Sequence, residues 1–247
     1  MGNMIELHYQ DTPLAAYLAV PEGAVKGGVI VIHEVWGLND HTKSIADRFA
    51  AEGYMALAPE LVGETDIAAH AAQLQLDFFN PETRNEAQPK LRALMTPMQA
   101  PGFAEKTLGR LQTCFDYLYD NPDTHQWVAV TGFCFGGSYG FSMAMAEPRL
   151  KAAIPFYGHA NLSDVAQLKQ IACPVLAFYG EKDAGLMENL PKVQEEMASA
   201  NVDFKAQVYP DCGHAFFNDT NPYAYNQPAA TDAWRRTIEF LDHQATV

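Results

Sequence analysis

The sequence predicts an α/β fold in which a mostly parallel sheet is covered by helices on both faces. Short runs rich in β-branched residues alternate along the chain with segments that keep apolar residues on one helical face, as in parallel sheets. The run from Val29 to His33 is apolar up to its last residue, which is typical of a strand buried on both faces. A third observation is a glycine-rich turn, residues 132–137, directly after another apolar run.

Length and composition indicate one soluble globular domain, residues 1–247. The chain has 247 residues, of which 48% are hydrophobic and 19% charged. The formal charge of −14 opposes binding to nucleic acid or to an anionic membrane surface. We expect instead a small-molecule partner, and a monomer or small homo-oligomer.

The sequence also favours a cytoplasmic location. The first residues lack the basic and apolar segments of a secretory signal, and no apolar run approaches the roughly 20 residues that span a bilayer. The four cysteines are widely spaced, so we expect free thiols rather than disulfides.

The first half of the chain supplies the elements before the glycine-rich turn. We predict, in order, an antiparallel strand pair within 5–20, a strand at 29–33, a helix from Asn39 or Asp40 to Gly53, and a strand at 54–58. Residues 61–100 are polar, contain three prolines and show only short helical fragments. This segment is either a lid or pocket wall over the carboxyl ends of the strands, or a solvated surface excursion.

Regular alternation returns after residue 100. We predict a helix near 102–120, a strand at 127–130, a helix-compatible stretch from Phe141, strands at 152–157 and 175–179, a helix through 190–197, a strand at 204–209 and a final helix around 234–241. In such sheets functional residues gather at the carboxyl ends of the strands.

The glycine-rich turn has the pattern of a nucleophile elbow, with Cys134 in the position that is usually serine. Gly132 and Gly136 have no Cβ atoms to collide as strand and helix close around the nucleophile. The positive end of the following helix favours a thiolate. The alternative is that Cys134 is a small buried core residue.

Two later residues complete a triad in the chain order of hydrolases with such an elbow. Asp183 follows the strand at 175–179, and His214 follows the strand at 204–209. Glu181 and Asp211 are rival acids, and Asp183 could instead be a turn residue or a helix cap. We predict that Cys134, His214 and Asp183 act as nucleophile, base and orienting acid.

The loop that begins His33-Glu34-Val35-Trp36-Gly37 follows the first long strand. It resembles the start of a zinc-binding His-Glu-x-x-His helix, but Gly37 occupies the place of the second histidine, so we predict no metal and no cofactor. The N–H groups of Val35 and Phe135 are the predicted oxyanion-hole donors. Glu34 is either a solvated acid beside the pocket or a buried carboxyl group that could hold or exchange the proton of the thiol.

Taken together, these motifs resemble the dienelactone hydrolase (carboxymethylenebutenolidase) family over almost the whole chain. The resemblance rests on His33-Glu-Val-Trp-Gly, Gly132-Phe-Cys-Phe-Gly-Gly, the Asp183 loop and Gly213-His-Ala-Phe-Phe-Asn-Asp. It implies an α/β-hydrolase fold and hydrolysis of an enol-lactone through an acyl-thiol intermediate. By position, it also implies that Glu34 restrains the resting thiol and accepts its proton when substrate arrives.

The chain departs from the family at one position that matters for the substrate. Members specific for dienelactone carry an arginine four residues after the catalytic histidine, where this chain has Asn218. Arg84 is the nearest candidate for a second family arginine. The loss of a charge-assisted contact weakens recognition of a substrate carboxylate. The residues predicted to contact substrate are Trp36, Arg84, Phe216, Asn218 and Tyr225, with core packing as the alternative for the aromatic ones.

The leading hypothesis is therefore a cysteine-dependent hydrolase of lactones or esters. The runner-up is a broad carboxylesterase or thioesterase for uncharged substrates, which the asparagine favours. A non-catalytic ligand-binding protein is the alternative from another class.

Overall fold

The computed structural model describes residues 1–63, 65, 67–162 and 165–245. Its strands are β1 Asn3–Tyr9, β2 Thr12–Ala19, β3 Gly27–Ile32, β4 Tyr54–Pro59, β5 Val128–Phe133, β6 Ala152–Phe156, β7 Val175–Gly180 and β8 Phe204–Tyr209. They form one sheet in the order β1-β2-β4-β3-β5-β6-β7-β8. β2 is antiparallel to β1 and β4, and the other neighbours are parallel.

Helices connect these strands and cover the sheet on both sides, which confirms the predicted α/β class. They are α1 Asp40–Ala51, α2 Ile67–Phe79, α3 Arg84–Met95, α4 Phe103–Tyr119, α5 Phe135–Ala146, α6 Val165–Leu168, α7 Ala184–Ser199 and α8 Gln227–Ala245. α1 and α8 meet through Phe49 and Trp234, whose rings are 4.7 Å apart. In the described ranges, no helix combines the length and apolar character needed to cross a membrane.

The centre of the sheet is its most deeply buried part, and it sets the position of the site. Every residue of β3, β4 and β5 is buried. The parallel register pairs Ile32 of β3 with Gly132 of β5, and Phe133 of β5 with Phe156 of β6. The loops that leave β3, β5 and β6 therefore start side by side at one edge of the sheet.

The entry to α1 shows how local sequence places a helix start. Asn39 is the N-cap, and its side chain accepts a hydrogen bond from the Thr42 N–H at 3.0 Å. Asp40 occupies the first turn, where a negative charge is favourable. Of the two predicted starting residues, Asn39 is thus the cap.

The sequence predicts only short helical fragments in the segment 61–100. The structure instead has two helices there, α2 and α3. Pro81 lies between them and Pro97 begins a 3₁₀ turn, so neither interrupts a helix. Only Pro89 is inside α3, where it is exposed. Apolar residues of both helices form a second cluster with Val35 and Trp36; its buried members from α2 and α3 are Ala71, Leu74, Ala87 and Leu91.

Candidate active site

Cys134 lies at a sharp turn between β5 and α5. Its backbone has φ 55° and ψ −110°, a strained conformation for a residue with a side chain, and its N–H donates to Phe156 O at 3.0 Å. The helix begins directly after it, at Phe135, rather than near Phe141 as the sequence suggested. The small residues between 136 and 140 do not delay the helix, because they form its tightly packed first turns.

Two glycines make this turn possible. A Cβ atom on Gly132 would lie 2.1 Å from Gly136 O, and a Cβ atom on Gly136 would lie 2.3 Å from Ile32 O. Both contacts are with backbone atoms, which cannot move aside cheaply. The close approach of α5 to β3 and β5 therefore requires glycine at both positions and fixes Cys134 at the sheet edge.

The loops after β7 and β8 bring Asp183 and His214 together. Asp183 Oδ2 lies 2.5 Å from His214 Nδ1, and the Asp183 side chain makes no hydrogen bond that caps α7. The rival acids are engaged elsewhere, since Asp211 pairs with Lys182 and Glu181 accepts from the Asp211 N–H. A backbone hydrogen bond of 2.7 Å from Lys182 N to Cys212 O ties the two loops to each other.

His214 also interacts electrostatically with the Cys134 side chain. Burial of the imidazole opposes its protonation. The charge of an anionic Cys134 side chain, together with the hydrogen bond to Asp183, outweighs burial and raises the pKa of His214 well above its ordinary value near 6.5. The site therefore favours a protonated His214.

This pairing predicts how the His214 pKa responds to a substitution. The protonated imidazole loses its negative partner in Cys134→Ala, so the pKa of His214 should fall, and the imidazolium should titrate at lower pH than in the wild type. Histidine-selective ¹³C NMR across pH 5–10 measures this shift, with His214→Gln to assign the signal. An unchanged or higher His214 pKa in Cys134→Ala would contradict the pairing.

Glu34 is buried beside this pair, and both of its carboxylate oxygens accept hydrogen bonds. Tyr157 Oη donates to Oε1 at 3.1 Å, and Asn218 Nδ2 donates to Oε2 at 2.7 Å. The Asn218 carboxamide oxygen accepts in turn from the Thr220 hydroxyl at 2.7 Å. Asn218 is thus fully engaged and has no exposed surface, so in this structure it holds Glu34 rather than facing a ligand.

Tyr157 is the residue at this site that the sequence did not single out. Its ring centroid lies 5.1 Å from that of His214, and its φ of 37° is strained for a large side chain. Burial, followed by the charges of Glu34 and Cys134, raises the pKa of its phenol well above the usual 10, so it remains a donor. The only signal in the sequence was its place at the carboxyl end of a predicted strand.

The Val35 N–H lies on the loop after β3, and the Phe135 N–H lies at the start of α5, directly after the cysteine. Among the described residues, neither group donates to a protein acceptor. Phe135 is the first residue of α5, where N–H groups have no partner within the helix. In the same described ranges, no group of three His, Cys, Asp or Glu side chains converges to hold a metal ion.

The other residues predicted to contact substrate occupy different surroundings. Trp36 is buried in the second apolar cluster, which Phe135 also contacts. Phe216 is fully buried against Tyr157 and offers no surface to a ligand. Arg84 is exposed, with its guanidinium carbon 5.4 Å from the centroid of the Phe78 ring, and Tyr225 is partly exposed. These residues do not form one group around the cysteine.

A mostly parallel sheet with a cysteine at a strand–helix elbow, followed in chain order by an acid and a histidine at the same sheet edge, defines an α/β-hydrolase. Comparison with known proteins agrees, because residues 14–245 match the dienelactone hydrolase family. The chain belongs to this family, which confirms the resemblance seen in the sequence, and it is an ester hydrolase.

Individual relatives cover nearly the whole chain. A Saccharolobus solfataricus protein named "Putative carboxymethylenebutenolidase" is 34% identical over 244 residues, covering 92% of this chain and 93% of the relative. "Protein usf" of Aquifex pyrophilus is 32% identical over 253 residues and covers 100% of both chains. A crystal structure from Klebsiella pneumoniae, described as a "Putative Dienelactone Hydrolase", is 26% identical with a TM-score of 0.78 and covers 98% of both chains.

Proposed function

We propose that the protein hydrolyses lactone or ester bonds through an acyl-thiol intermediate on Cys134. The observation that carries this proposal is the 2.5 Å contact between Asp183 Oδ2 and His214 Nδ1, in a histidine whose pKa is also raised by the cysteine at the elbow. In this arrangement Asp183 fixes the orientation and tautomer of the imidazole. His214 is then free to move a proton at its other nitrogen, which is the chemistry that ester cleavage needs.

The reaction runs in two halves. The Cys134 sulfur attacks the ester carbonyl and forms a C–S bond, while the N–H groups of Val35 and Phe135 donate to the developing oxyanion. The C–O bond to the leaving group breaks as His214 gives it a proton. Water, deprotonated by His214, then attacks the thioester carbonyl. The C–S bond breaks, the acid departs, and His214 returns the proton to the sulfur.

Glu34 acts on the thiol from the other side. Both of its carboxylate oxygens accept hydrogen bonds, one from Tyr157 and one from Asn218. We propose that in the resting state Glu34 gives up one of those donors and accepts a hydrogen bond from the Cys134 thiol, which keeps the sulfur protonated and limits its oxidation. Glu34 then accepts the thiol proton when substrate arrives.

A second candidate, preference for uncharged esters, has its own support. Asn218 stands where dienelactone-specific members carry arginine, and it brings no positive charge to the site. The buried Glu34 next to it would repel a substrate carboxylate. The apolar cluster around Trp36 and Phe135, with the partly buried Phe78, Phe79, Met95 and Met98, supplies a wall for an uncharged group.

A paired substrate panel tests both candidates. Enol-lactones and aryl esters, each with and without a free carboxylate, are compared by kcat/KM, with Cys134→Ala as the blank. Hydrolysis of at least one substrate that is lost in Cys134→Ala supports the leading proposal. If no substrate is hydrolysed in a Cys134-dependent way, the leading proposal is contradicted. We expect the uncharged member to be favoured by about tenfold or more, the value of one lost charge-assisted hydrogen bond. Faster turnover of the carboxylate-bearing members would reject the second candidate alone.

The setting of this activity follows from charge and thiol chemistry. We propose a cytoplasmic enzyme, because all four cysteines are free and an activated thiol survives best in a reducing compartment. We also propose that it acts as a monomer or small homo-oligomer on small molecules, since a net charge of −14 disfavours nucleic acid.

A further inference from the structure

His33 is a fully buried histidine whose two ring nitrogens are both engaged. The Leu61 N–H donates to Nε2 at 3.0 Å, so that nitrogen is an acceptor and carries no proton. Nδ1 therefore carries the proton and donates it to Glu34 O at 2.5 Å. The partners thus select the neutral Nδ1–H tautomer.

The surroundings keep this histidine neutral and its loop in place. Burial lowers the pKa of His33, against the opposing effect of the Glu60 carboxylate, whose Oε1 lies 3.6 Å from Nε2. Glu60 is itself a strap between loops, because it accepts from the Leu38 N–H at 2.9 Å and from the Val62 N–H at 2.8 Å. The loop after β3 is therefore held to the loop after β4 at both ends.

The carbonyl that His33 binds belongs to the same peptide unit as the Val35 N–H. Glu34 O also accepts from the Gly37 N–H at 3.3 Å, so two donors fix this carbonyl. In a trans peptide the N–H points opposite to the C=O, which directs the Val35 N–H away from the histidine. Donation to the carbonyl also polarises the peptide and strengthens its N–H as a donor.

His33 contacts the second oxyanion-hole residue as well. Its ring stacks on Phe135, with 5.7 Å between centroids and 7° between planes. Phe135 is in turn packed against Tyr139 at 4.7 Å, which leaves its ring little freedom. One side chain thereby contacts the Glu34–Val35 peptide unit and the ring of Phe135, whose N–H groups would hold the oxyanion.

We propose that His33 is a positioning residue that orients the Val35 and Phe135 N–H groups toward the substrate carbonyl. This inference rests on the proposed function, because it concerns the oxyanion of that reaction. His33 itself touches neither the substrate nor the sulfur in this role. Its contribution is limited to steps in which negative charge develops on the carbonyl oxygen.

Two reactions of the same sulfur separate this role from general damage to the site. Ester hydrolysis builds an oxyanion, whereas alkylation of Cys134 by iodoacetamide is a displacement at carbon that builds none. His33→Phe keeps a ring but loses both hydrogen bonds, and it should lower kcat for an aryl ester about 10- to 100-fold. The alkylation rate at Cys134, followed by mass spectrometry, should change less than about twofold from wild type.

Conservative and control variants sharpen the result. His33→Gln can donate to Glu34 O and accept from the Leu61 N–H, so it should recover most of the lost kcat. His8→Phe, an exposed histidine on β1, controls for the substitution itself. A kcat for His33→Phe within threefold of wild type, or equal losses in hydrolysis and alkylation, would overturn the inference. Equal rates of ester hydrolysis by the wild type and by Cys134→Ala would instead overturn the proposed function.

A measurement on the unmodified protein covers the case in which His33→Phe does not fold. ¹⁵N NMR of labelled histidine distinguishes the two neutral tautomers by the chemical shifts of their nitrogens. We expect His33 to show the Nδ1–H tautomer at every pH from 6 to 8. An Nε2–H tautomer or a protonated ring in this range would overturn the inference, since neither leaves Nε2 free to accept from the Leu61 N–H while Nδ1 donates to Glu34 O.

Discussion

Cys134→Ala should lower kcat/KM for aryl esters by about 10⁴- to 10⁶-fold, to the residual rate that substrate binding and the oxyanion hole supply. The loss is this large because the sulfur forms the covalent intermediate, and no neighbouring group can replace it. We expect His214 and Asp183, which lie 2.5 Å apart in the wild type, to stay in contact in this variant, but they then have no nucleophile to activate. Steady-state hydrolysis of a chromogenic ester measures the effect.

A matched control is available within the chain. Cys173 is a buried free thiol that the structure places away from the elbow, at the entry to β7. Burial raises the pKa of its thiol to about 12, so it is inert at neutral pH. Cys173→Ala should retain hydrolysis within a fewfold of wild type. A Cys134→Ala protein that kept more than about a tenth of the wild-type rate would remove the cysteine from the mechanism.

Gly132→Ala should have the largest effect of any single methyl group added near the site. The new Cβ would lie 2.1 Å from Gly136 O, so α5 must shift away from β5 to make room. Overpacking against backbone of this kind costs about 3 kcal/mol, and a shift of the elbow by about 1 Å would lower kcat about 100-fold. Chemical denaturation and ester hydrolysis measure the two losses on one sample.

Gly140→Ala controls for the loss of a glycine in the same helix. The nearest atom to its added Cβ is Pro155 Cβ at 3.7 Å, which is an ordinary contact. Alanine in a helix interior reduces the entropy of the unfolded chain, so this variant should be stabilised by up to about 1 kcal/mol and remain active. Equal stability of Gly132→Ala and Gly140→Ala would show that the elbow tolerates a looser packing than the structure implies.

The sequence could predict the contact between Asp183 and His214 because each residue follows a strand of a parallel sheet. Once the order of strands is set, the chain brings both loops to one edge, and little tertiary detail is needed. The hydrogen bond between Asn218 and Glu34 could not be predicted from the sequence, for the opposite reason. It joins residues 184 positions apart through buried side chains, and nothing local to either residue specifies it.

The predictions from local sequence patterns also missed helical residues in two parts of the chain. Glycine has a low intrinsic helix propensity, so residues 135–140 were not predicted as helix, although tertiary packing requires small residues there. For residues 61–100, the three prolines led to a prediction of short helical fragments only. The apolar residues of this segment are nevertheless spaced so that α2 and α3 form the cluster around Trp36. In both places contacts with the rest of the chain decided the outcome.

The order of strands in the sheet places the residues of the site on strands that differ in their resistance to local unfolding. The cysteine follows β5, which has a strand on each side, whereas the histidine follows β8, which has only β7 beside it. Strands at an edge open more readily than central ones. On heating, we expect β8 to unfold locally before the central strands do. This would separate His214 from Cys134 while the centre of the sheet is still folded. Any effort to make this enzyme last longer when warm should begin at β8 rather than in the core.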